Sequence, residues 1–244
     1  MNQQNLTVLS NVPLTDTVFE MKLRGDMSVF SSPGQFVNIR LDGFYLRRPI
    51  SVCDIEGDVL TILYKVVGHG TEAMSKLGAG TSLDVLCGLG NGYDLSKSGP
   101  RPLLVGGGVG IPPIYLTAKR LIAEGKRVRA VLGFNREDEI FYADRFRALG
   151  AEVTVTTADG SYGVRGFVTD ALPEDCTYFY ACGPEPMLKA VYRATEISGQ
   201  FSFEARMGCG FGACMGCSCK TITGYKRICR EGPVLEKEEI LWEN

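Results

Sequence analysis

The end of the chain carries a dense run of thiols, "CGFGACMGCSC", in which Cys209, Cys214, Cys217 and Cys219 stand within eleven residues. Cysteine sulfur forms disulfides, binds zinc or holds an iron–sulfur cluster. The first three follow the spacing C-x4-C-x2-C, which with a later fourth cysteine is typical of a [2Fe–2S] site. Glycine and alanine fill the intervals, and such small residues let a loop fold closely around sulfur and direct backbone N–H groups at it.

The fourth ligand of such a cluster would be Cys219 or Cys229. Cys217 and Cys219 are separated by one residue and lie on the same side of an extended segment, which crowds both against one cluster. Cys229 follows Cys217 after eleven residues, and "TITGYKR" contains Gly224 as a turn for a returning hairpin. The spacing therefore predicts Cys229 as the fourth ligand.

Zinc is the alternative metal for this segment. Zinc sites made of four cysteines usually combine two C-x2-C pairs, whereas this sequence has one such pair, Cys214 with Cys217. The chain has nine cysteines, an odd number that does not suit a disulfide framework. We expect Cys53, Cys87 and Cys176 to be ordinary buried thiols.

The 244 residues have ordinary globular composition, with 45% hydrophobic residues, 22% charged residues and a net charge of −2. No long run of one sign indicates a surface for nucleic acid or for anionic membranes. The beginning, "MNQQNLTVLS", lacks the regions of a signal peptide, and the most apolar stretch is too short to span a bilayer. We therefore expect a cytoplasmic protein that binds neither nucleic acid nor membrane.

The first hundred residues predict β-structure. Runs such as "GQFVNIRL" and "VLTILYKVV" are rich in β-branched residues, as in a small antiparallel barrel or sandwich. In "FYLRRPISVCDI", Arg47 or Arg48 offers a planar guanidinium for a diphosphate, and Ser51 offers a short donor and acceptor. Further along, "GHGT" leads into a short helix predicted from 71 to 77, and the amides near Gly70 are a candidate anion site.

After "KSGPRP", strands alternate with helices, which predicts a parallel sheet with helices on its faces. "LLVGGGVGIPP" joins a buried strand to a helix through glycines that let the backbone approach a diphosphate, although Ile111 replaces the third glycine of G-x-G-x-x-G. Another strand runs into "CGPEPM" and a further helix. A helix is also predicted over "DEIFYADRFRALG", and the final forty residues show neither pattern.

The order and separation of "RPIS", "GGGVG" and "CGPEPM" resemble the ferredoxin–NADP reductase family, over nearly the whole chain up to about residue 200. The resemblance implies an α+β multidomain protein with an antiparallel β-barrel FAD domain and an α/β parallel-sheet nucleotide-binding domain. It implies FAD contacts from Arg48, Pro49, Ile50, Ser51, Leu63, Tyr64, Lys65, Gly70 and Thr71. It implies nicotinamide-nucleotide contacts from Gly106, Gly107, Gly108, Gly110, Cys182, Gly183, Pro184 and Met187.

Within these implied sites, Arg48 would bind the FAD diphosphate and Ser51 would lie beside the reactive ring nitrogen. Ile50 stands where many members have Tyr, so no aromatic stacking is expected from this position. His69 is the only histidine, and we expect it in a loop at the flavin edge without a role as acid or base, so no catalytic residue is assigned.

The choice between NAD and NADP depends on "NREDE", which follows the strand "RVRAVLGF". Arg136 suits a 2′-phosphate, whereas Glu137 or Asp138 suits a 2′-hydroxyl. All three side chains are equally compatible with solvent-exposed positions in a loop. We expect NAD.

The cysteine run, followed by "EGPVL", resembles the family of electron-transfer subunits of type B, NAD-dependent dihydroorotate dehydrogenase. The resemblance implies FAD, a [2Fe–2S] cluster and NAD. It also implies electron transfer from an FMN-containing catalytic subunit to NAD⁺ in pyrimidine biosynthesis, within a heterotetramer that has two copies of each chain. The alternatives are a small subunit of a sulfide dehydrogenase or an NADPH:ferredoxin oxidoreductase, and a zinc-stabilised binding module without redox cofactors.

Three regions follow from these patterns. Residues 1–99 form the predicted FAD-binding barrel, residues 100–203 the NAD-binding α/β domain, and residues 204–244 a small C-terminal [2Fe–2S] segment. The ligands predicted for that cluster are Cys209, Cys214, Cys217 and Cys229.

Overall fold

The computed structural model describes residues 2–242, and its first part is a closed, six-stranded antiparallel barrel. The strands are β1 (Asn2–Pro13), β2 (Val18–Arg24), β3 (Phe36–Ile39), β4 (Arg48–Glu56), β5 (Val59–Lys65) and β6 (Ser82–Leu89). The order around the barrel is β1-β2-β5-β4-β3-β6, and a helix, α1 (His69–Ser75), connects β5 to β6. Alternate side chains such as Leu6, Val8, Met21 and Leu23 point inward and fill the interior. The predicted barrel is confirmed.

The second part is a sheet of seven strands with accompanying helices. Its elements in chain order are β7 (Pro102–Gly107), α2 (Ile111–Ala123), β8 (Arg129–Phe134), α3 (Ala143–Leu149), β9 (Glu152–Thr157), β10 (Val164–Arg165), β11 (Tyr178–Cys182), α4 (Glu185–Ala194) and β12 (Gly199–Ser202). A hairpin of β13 (Ser218–Thr221) and β14 (Gly224–Arg227) follows, and β15 (Val234–Glu236) completes the sheet.

The order of this sheet is β10-β9-β8-β7-β11-β12-β15, and all neighbours are parallel except β12 and β15. The central strand β7 is buried at every residue, as expected for a strand covered on both faces. The predicted parallel sheet is confirmed. No helix within residues 2–242 is long and apolar enough to cross a membrane.

Several elements differ from the prediction in extent. The helix α1 begins at His69, two residues before its predicted start. The helix expected over "DEIFYADRFRALG" is reduced to a 3-10 turn, Glu137–Glu139, and the short α3, because Tyr142 between them takes a left-handed φ of 66°. The strands β12 and β15 were not predicted, since segments of three or four residues carry too little periodicity.

The strand β15 ties the end of the chain to the nucleotide-binding sheet. It pairs antiparallel with β12, from Ser202 opposite Val234 to Gln200 opposite Glu236. The predicted boundary at residue 204 stays a prediction, but this pairing crosses it. The cysteine segment is therefore an excursion that leaves the sheet after β12 and returns to it at β15.

Two buried polar contacts join the barrel to the sheet region. The Glu20 carboxylate on β2 accepts hydrogen bonds from the Tyr142 hydroxyl, at 2.7 Å, and from the Arg145 guanidinium. The Lys119 ammonium on α2 contacts Asp54 on β4 at 2.9 Å. A carboxylate that is nearly removed from water needs such partners, so these contacts favour one relative placement of the two regions.

We expect Tyr142→Phe to lower the free energy of unfolding of the full chain by about 1–3 kcal/mol, because a buried hydrogen bond to a carboxylate is lost without a change of shape. Urea unfolding followed by circular dichroism measures this change. The matched control is Tyr225→Phe, since Tyr225 is exposed; equal effects of the two substitutions would contradict the expectation.

Candidate redox site

The outer face of β3 and β4 carries the first group of predicted site residues. Val37 and Ile39 point into the barrel. Because successive side chains of a strand alternate between its two faces, Phe36 and Asn38 face outward. Ser51 on β4 is paired with Phe36, and Pro49 is paired with Asn38. Residues directly opposite each other in an antiparallel pair share a face. The "RPIS" motif therefore lies beside Phe36 and Asn38 on the outside of the barrel.

Arg48 and Arg47 stand side by side but have different partners. The Arg47 guanidinium binds the Asp84 carboxylate at 2.9 and 3.1 Å, and this hydrogen bonding lowers the pKa of Asp84. The Arg48 guanidinium lies 4.8 Å from the centre of the Phe44 ring and donates to the Leu46 carbonyl at 2.5 Å. It makes no ion pair within residues 2–242, so of the two arginines Arg48 is the one available to an anion.

Gly70 and Thr71 lie next to Arg48. A Cβ atom on Gly70 would stand 2.1 Å from Arg48 Nε, so only glycine allows the guanidinium to rest on this turn. The Thr71 hydroxyl is buried and accepts hydrogen bonds from the N–H groups of Val67, at 2.9 Å, and Gly68, at 3.3 Å. The Thr71 side chain therefore shapes the turn, and its backbone is what remains for a ligand.

The three residues predicted on β5, Leu63, Tyr64 and Lys65, differ in burial and in the part of the molecule that they contact. The Tyr64 side chain is 1% exposed, stacks on Phe19 and donates its hydroxyl hydrogen to Asn11 Oδ1 at 2.8 Å. Because this side chain belongs to the barrel interior, Tyr64 can line a cofactor only through its backbone. Leu63 is buried where the barrel meets the sheet region, and Lys65 is half-buried.

The glycine turn and "CGPEPM" meet at the carboxyl ends of β7 and β11. These parallel strands are direct neighbours, with Gly106 opposite Cys182. A Cβ atom on Gly107 would lie 2.5 Å from Met187 Sδ, and one on Gly110 would lie 2.3 Å from the Cys182 carbonyl oxygen. The two motifs therefore pack directly on one another, and glycine is required at position 110, where the neighbouring atoms are backbone.

This junction is also the point at which the strand order reverses. From β7 the chain proceeds outward through β8, β9 and β10, and it then returns to β11 on the opposite side of β7. In open α/β sheets, ligands bind in the crevice outside the carboxyl ends of the strands at this reversal. The positions of Gly107, Gly108, Gly183 and Pro184 suit such a crevice.

Cys182 lies at the carboxyl end of β11, where the crevice begins, and is paired with Gly106. Its thiol is buried, and burial together with the charge of Glu204 raises its pKa above the usual range. Part of Glu204 is exposed, but the atoms packed around the carboxyl group raise its pKa as well. Glu204 was not among the predicted site residues, because nothing in "FSFEARM" distinguishes it from a solvated glutamate.

The cysteine segment contains the predicted hairpin, in which Thr221 is paired with Gly224 at the turn and Cys219 is paired with Lys226. The N–H groups of Ala213 and Cys214 point at Cys209 Sγ, at 3.2 and 3.5 Å. Burial opposes ionisation of this thiol, but the backbone N–H groups outweigh it and lower the pKa of Cys209 to about 6. Cys209 is thus prepared to act as a thiolate.

Cys217 and Cys229 form a second, deeper pair. Both are buried, and the Cys229 N–H group donates to Cys217 Sγ at 3.4 Å. Burial and the adjacent Cys217 raise the pKa of Cys229 to about 12. The hairpin brings Cys229 back to Cys217 as predicted. Cys219 is half-buried among Lys226 and Glu239, and burial raises its pKa.

The four predicted ligands therefore stand as two pairs, Cys209 with Cys214 and Cys217 with Cys229. Across the described part of the chain, no three His, Cys, Asp or Glu side chains are gathered closely enough to hold a metal ion as they stand. Backbone N–H groups directed at sulfur are nevertheless the donors that cluster-bound thiolates require. All nine cysteines are free thiols, and Cys53, Cys87 and Cys176 are buried as predicted.

Two family models match the chain. Residues 204–241 match the iron–sulfur cluster binding domain of dihydroorotate dehydrogenase B, and residues 104–193 match the oxidoreductase NAD-binding domain. The cysteine segment and the crevice at β7 and β11 lie within these matches. An iron–sulfur cluster is therefore favoured over zinc, and NAD binding over a sheet without ligand.

The chain is also similar to characterised proteins over almost its full length. It is 43% identical to the electron transfer subunit of dihydroorotate dehydrogenase B (NAD(+)) of Bacillus pumilus, with 98% of each chain covered. It is 44% identical to the corresponding subunit of Fusobacterium nucleatum, with 96% of each chain covered. A solved structure of an NADH-dependent reduced ferredoxin-NADP oxidoreductase is 32% identical, with a TM-score of 0.88, and covers 97% of this chain and 90% of its own.

These similarities extend through the barrel, the sheet and the cysteine segment together, so they concern the arrangement of the whole chain and not one shared domain. They favour an electron-transfer subunit of dihydroorotate dehydrogenase over the alternatives, which are a small subunit of a sulfide dehydrogenase or of an NADPH:ferredoxin oxidoreductase and a zinc-stabilised binding module. The chain belongs to the family of electron transfer subunits of dihydroorotate dehydrogenase B (NAD(+)).

Proposed function

We propose that this chain transfers electrons between an FMN-containing dihydroorotate dehydrogenase subunit and NAD⁺, and that it holds FAD and a [2Fe–2S] cluster for this purpose. One observation carries the proposal: the three candidate sites meet at the barrel. Phe36, on the face that carries "RPIS", packs in one apolar cluster with Cys217 and Cys229. The strand β5 contacts the turn Gly108–Gly110 of the crevice.

The FAD site lies on the outer face of β3 and β4 in this proposal. The Arg48 guanidinium, which rests on Gly70, supplies the charge for the diphosphate. Ser51 lies on the same face with a short donor and acceptor. Pro49, Ile50, Leu63, Lys65, Thr71 and the Tyr64 backbone complete the lining.

The nicotinamide site lies in the crevice between β7 and β11. Gly106 packs against Ile111 and Ile114, which holds the following helix close to the strand. Gly107, Gly108, Gly110 and the "CGPEPM" residues leave backbone in reach of the nucleotide. Beyond β8, Arg136 is paired with Asp138 at 3.2 Å, so its charge is partly compensated. This pairing favours NAD over NADP, whose 2′-phosphate needs an uncompensated cation.

The cluster ligands are Cys209, Cys214, Cys217 and Cys229 in this proposal. Cys214 is exposed, whereas Cys217 and Cys229 are buried. The pair of Cys209 and Cys214 would therefore bind the cluster from the solvent side, and the pair of Cys217 and Cys229 from the core side. When bound, a [2Fe–2S] cluster exchanges single electrons and FAD converts between single-electron and hydride transfer. The protein contributes the placement of the three sites and the N–H donors at sulfur.

The catalytic partner is expected to cover the cysteine segment. Phe211, Met215, Ile222 and Tyr225 expose apolar surface around the predicted ligands, and apolar side chains grouped on one surface mark interaction sites. The only histidine, His69, is almost fully exposed on α1, so no buried histidine is present to act as a base toward an organic acid. We infer a heterotetramer with two copies of each chain, located in the cytoplasm, where nine thiols stay reduced.

We expect Arg48→Ala to weaken FAD binding about ten- to a hundredfold, because a charge-assisted contact to a diphosphate is worth roughly 1.5–3 kcal/mol. Fluorescence titration of FAD into deflavinated protein measures the dissociation constant. Arg24→Ala is the matched control, since Arg24 is exposed and paired with Asp58 on another face of the barrel. An unchanged dissociation constant for the Arg48 variant would place the diphosphate elsewhere.

Replacement of the two candidate fourth ligands separates their roles. Cys229→Ser should abolish the cluster, whereas Cys219→Ser should keep it, because Cys229 is paired with Cys217 and Cys219 lies on the hairpin beside Lys226. Iron and acid-labile sulfide analysis and electron paramagnetic resonance measure cluster content in anaerobically purified protein. The reverse pattern would assign Cys219 as the ligand, and zinc without sulfide would reject the cluster.

The partner is tested by reconstitution. The isolated chain should oxidise NADH with artificial acceptors but should not turn over dihydroorotate. Dihydroorotate-dependent NAD⁺ reduction should appear on co-expression with an FMN-containing catalytic subunit, and the complex should elute as a heterotetramer in size-exclusion chromatography. Separate elution of the two chains without a gain in NAD⁺ reduction would rule out this partner, and NADPH-dependent ferredoxin reduction would then favour the alternative oxidoreductase.

A further inference from the structure

Asn38 occupies an unusual position for an amide side chain. It lies on the outer face of β3, yet it is 1% exposed, because the cysteine segment covers this face. Its Nδ2 group donates a hydrogen bond to the carbonyl oxygen of Cys209 at 3.2 Å. This bond joins the barrel to the first predicted cluster ligand across 171 positions of sequence.

The loop is shaped to receive this amide. A Cβ atom on Gly210 would lie 2.2 Å from Asn38 Nδ2, and Gly210 has a φ of +78°. Only glycine combines this backbone conformation with so close an approach. The contact between Asn38 and the loop is therefore built from both sides.

The same residue adjoins the proposed flavin site. Asn38 is paired across the sheet with Pro49, within "RPIS". Asn38 Oδ1 is buried and has no hydrogen-bond partner within residues 2–242, and a buried acceptor without a partner is unfavourable relative to an apolar side chain of similar shape. Packing alone would favour an aliphatic residue at this position. The presence of an amide therefore indicates that its hydrogen bond to the Cys209 carbonyl oxygen has a role between the two cofactor sites.

We propose that Asn38 is the positioning residue that holds the Cys209 end of the cluster loop against the flavin-binding face of the barrel, and thereby sets the placement of the cluster relative to FAD. The proposal rests on the proposed function, since it presupposes both cofactors. It assigns to Asn38 no part in binding NAD and none in ligating iron.

The other end of the cysteine segment is anchored independently. Asn91, which follows β6, donates to the carbonyl oxygens of Glu231 and Val234 at 3.0 and 2.7 Å and accepts from the Val234 N–H group at 3.1 Å. Phe36 also belongs to the same apolar cluster as Cys217 and Cys229. Loss of the Asn38 amide therefore loosens the Cys209 side without releasing the segment from the barrel.

The test compares Asn38→Ala with the wild-type full chain, both purified anaerobically. FAD content and the rate of flavin reduction by NADH in stopped-flow absorbance should be unchanged. The following phase, cluster reduction, should be slower, and removal of iron by a chelator should be roughly two- to tenfold faster, as expected for the loss of one hydrogen bond. The electron paramagnetic resonance spectrum of the reduced cluster should also change in line shape.

Two further variants make the result decisive. Gly210→Ala displaces the same contact from the loop side and should give the same pattern even if Asn38→Ala folds poorly. Asn5→Ala, an exposed asparagine of β1, should behave as wild type. Wild-type rates of cluster reduction and iron loss in both contact variants would overturn the proposal. Absence of FAD or iron from the wild-type chain would instead reject the proposed function itself.

Discussion

The coverage of the outer face of β3 by the cysteine segment is the contact on which the arrangement of the redox sites depends. Phe36 packs there with Cys217 and Cys229, and the same apolar cluster continues into the sheet through Val105 and Ala181. A barrel, a parallel sheet and a short irregular segment thus share one dry interface. Burial in this interface raises the pKa of the Cys229 thiol.

The two cysteine pairs lie on opposite sides of this boundary between core and solvent. Cys209 is surrounded by backbone N–H groups that lower its pKa, whereas the environment of Cys229 is mainly apolar. The difference suits a cluster with one side directed toward solvent or a partner and the other toward the barrel. Hydrogen bonds to sulfur and burial are also the means by which proteins tune the potential of such clusters.

The relation between barrel and crevice has a separate origin. Glu20 with Tyr142 and Arg145, and Asp54 with Lys119, connect the two regions through carboxylates that are largely removed from water. Such contacts are sensitive to geometry, because a misplaced partner leaves a buried charge uncompensated. In the same region, the turn Gly108–Gly110 after β7 contacts β5.

The sequence by itself determined the classes of structure and much of the chemistry. Hydrophobic periodicity distinguished a β region from an alternating α/β region, because period 2 and period 3.6 are properties of local geometry. The spacing of Cys209, Cys214 and Cys217 indicated an iron–sulfur site, since ligands close in sequence are close in space. Short elements such as β12 and β15 escaped prediction, because their existence depends on pairing with distant strands.

The tertiary structure alone decided which of several equivalent residues are available for function. Arg47 and Arg48 are the same in type and adjacent in sequence, but the barrel brings Asp84 near Arg47 and not near Arg48, and Asp84 forms an ion pair with Arg47. Tyr64 matched a family position, yet the closure of the barrel turned its ring into the core. Asn38 carried no local signal, because its importance arises from a hydrogen bond to the Cys209 carbonyl oxygen across 171 positions of sequence. Long-range contacts and burial have no local pattern, and for that reason only the folded chain shows them.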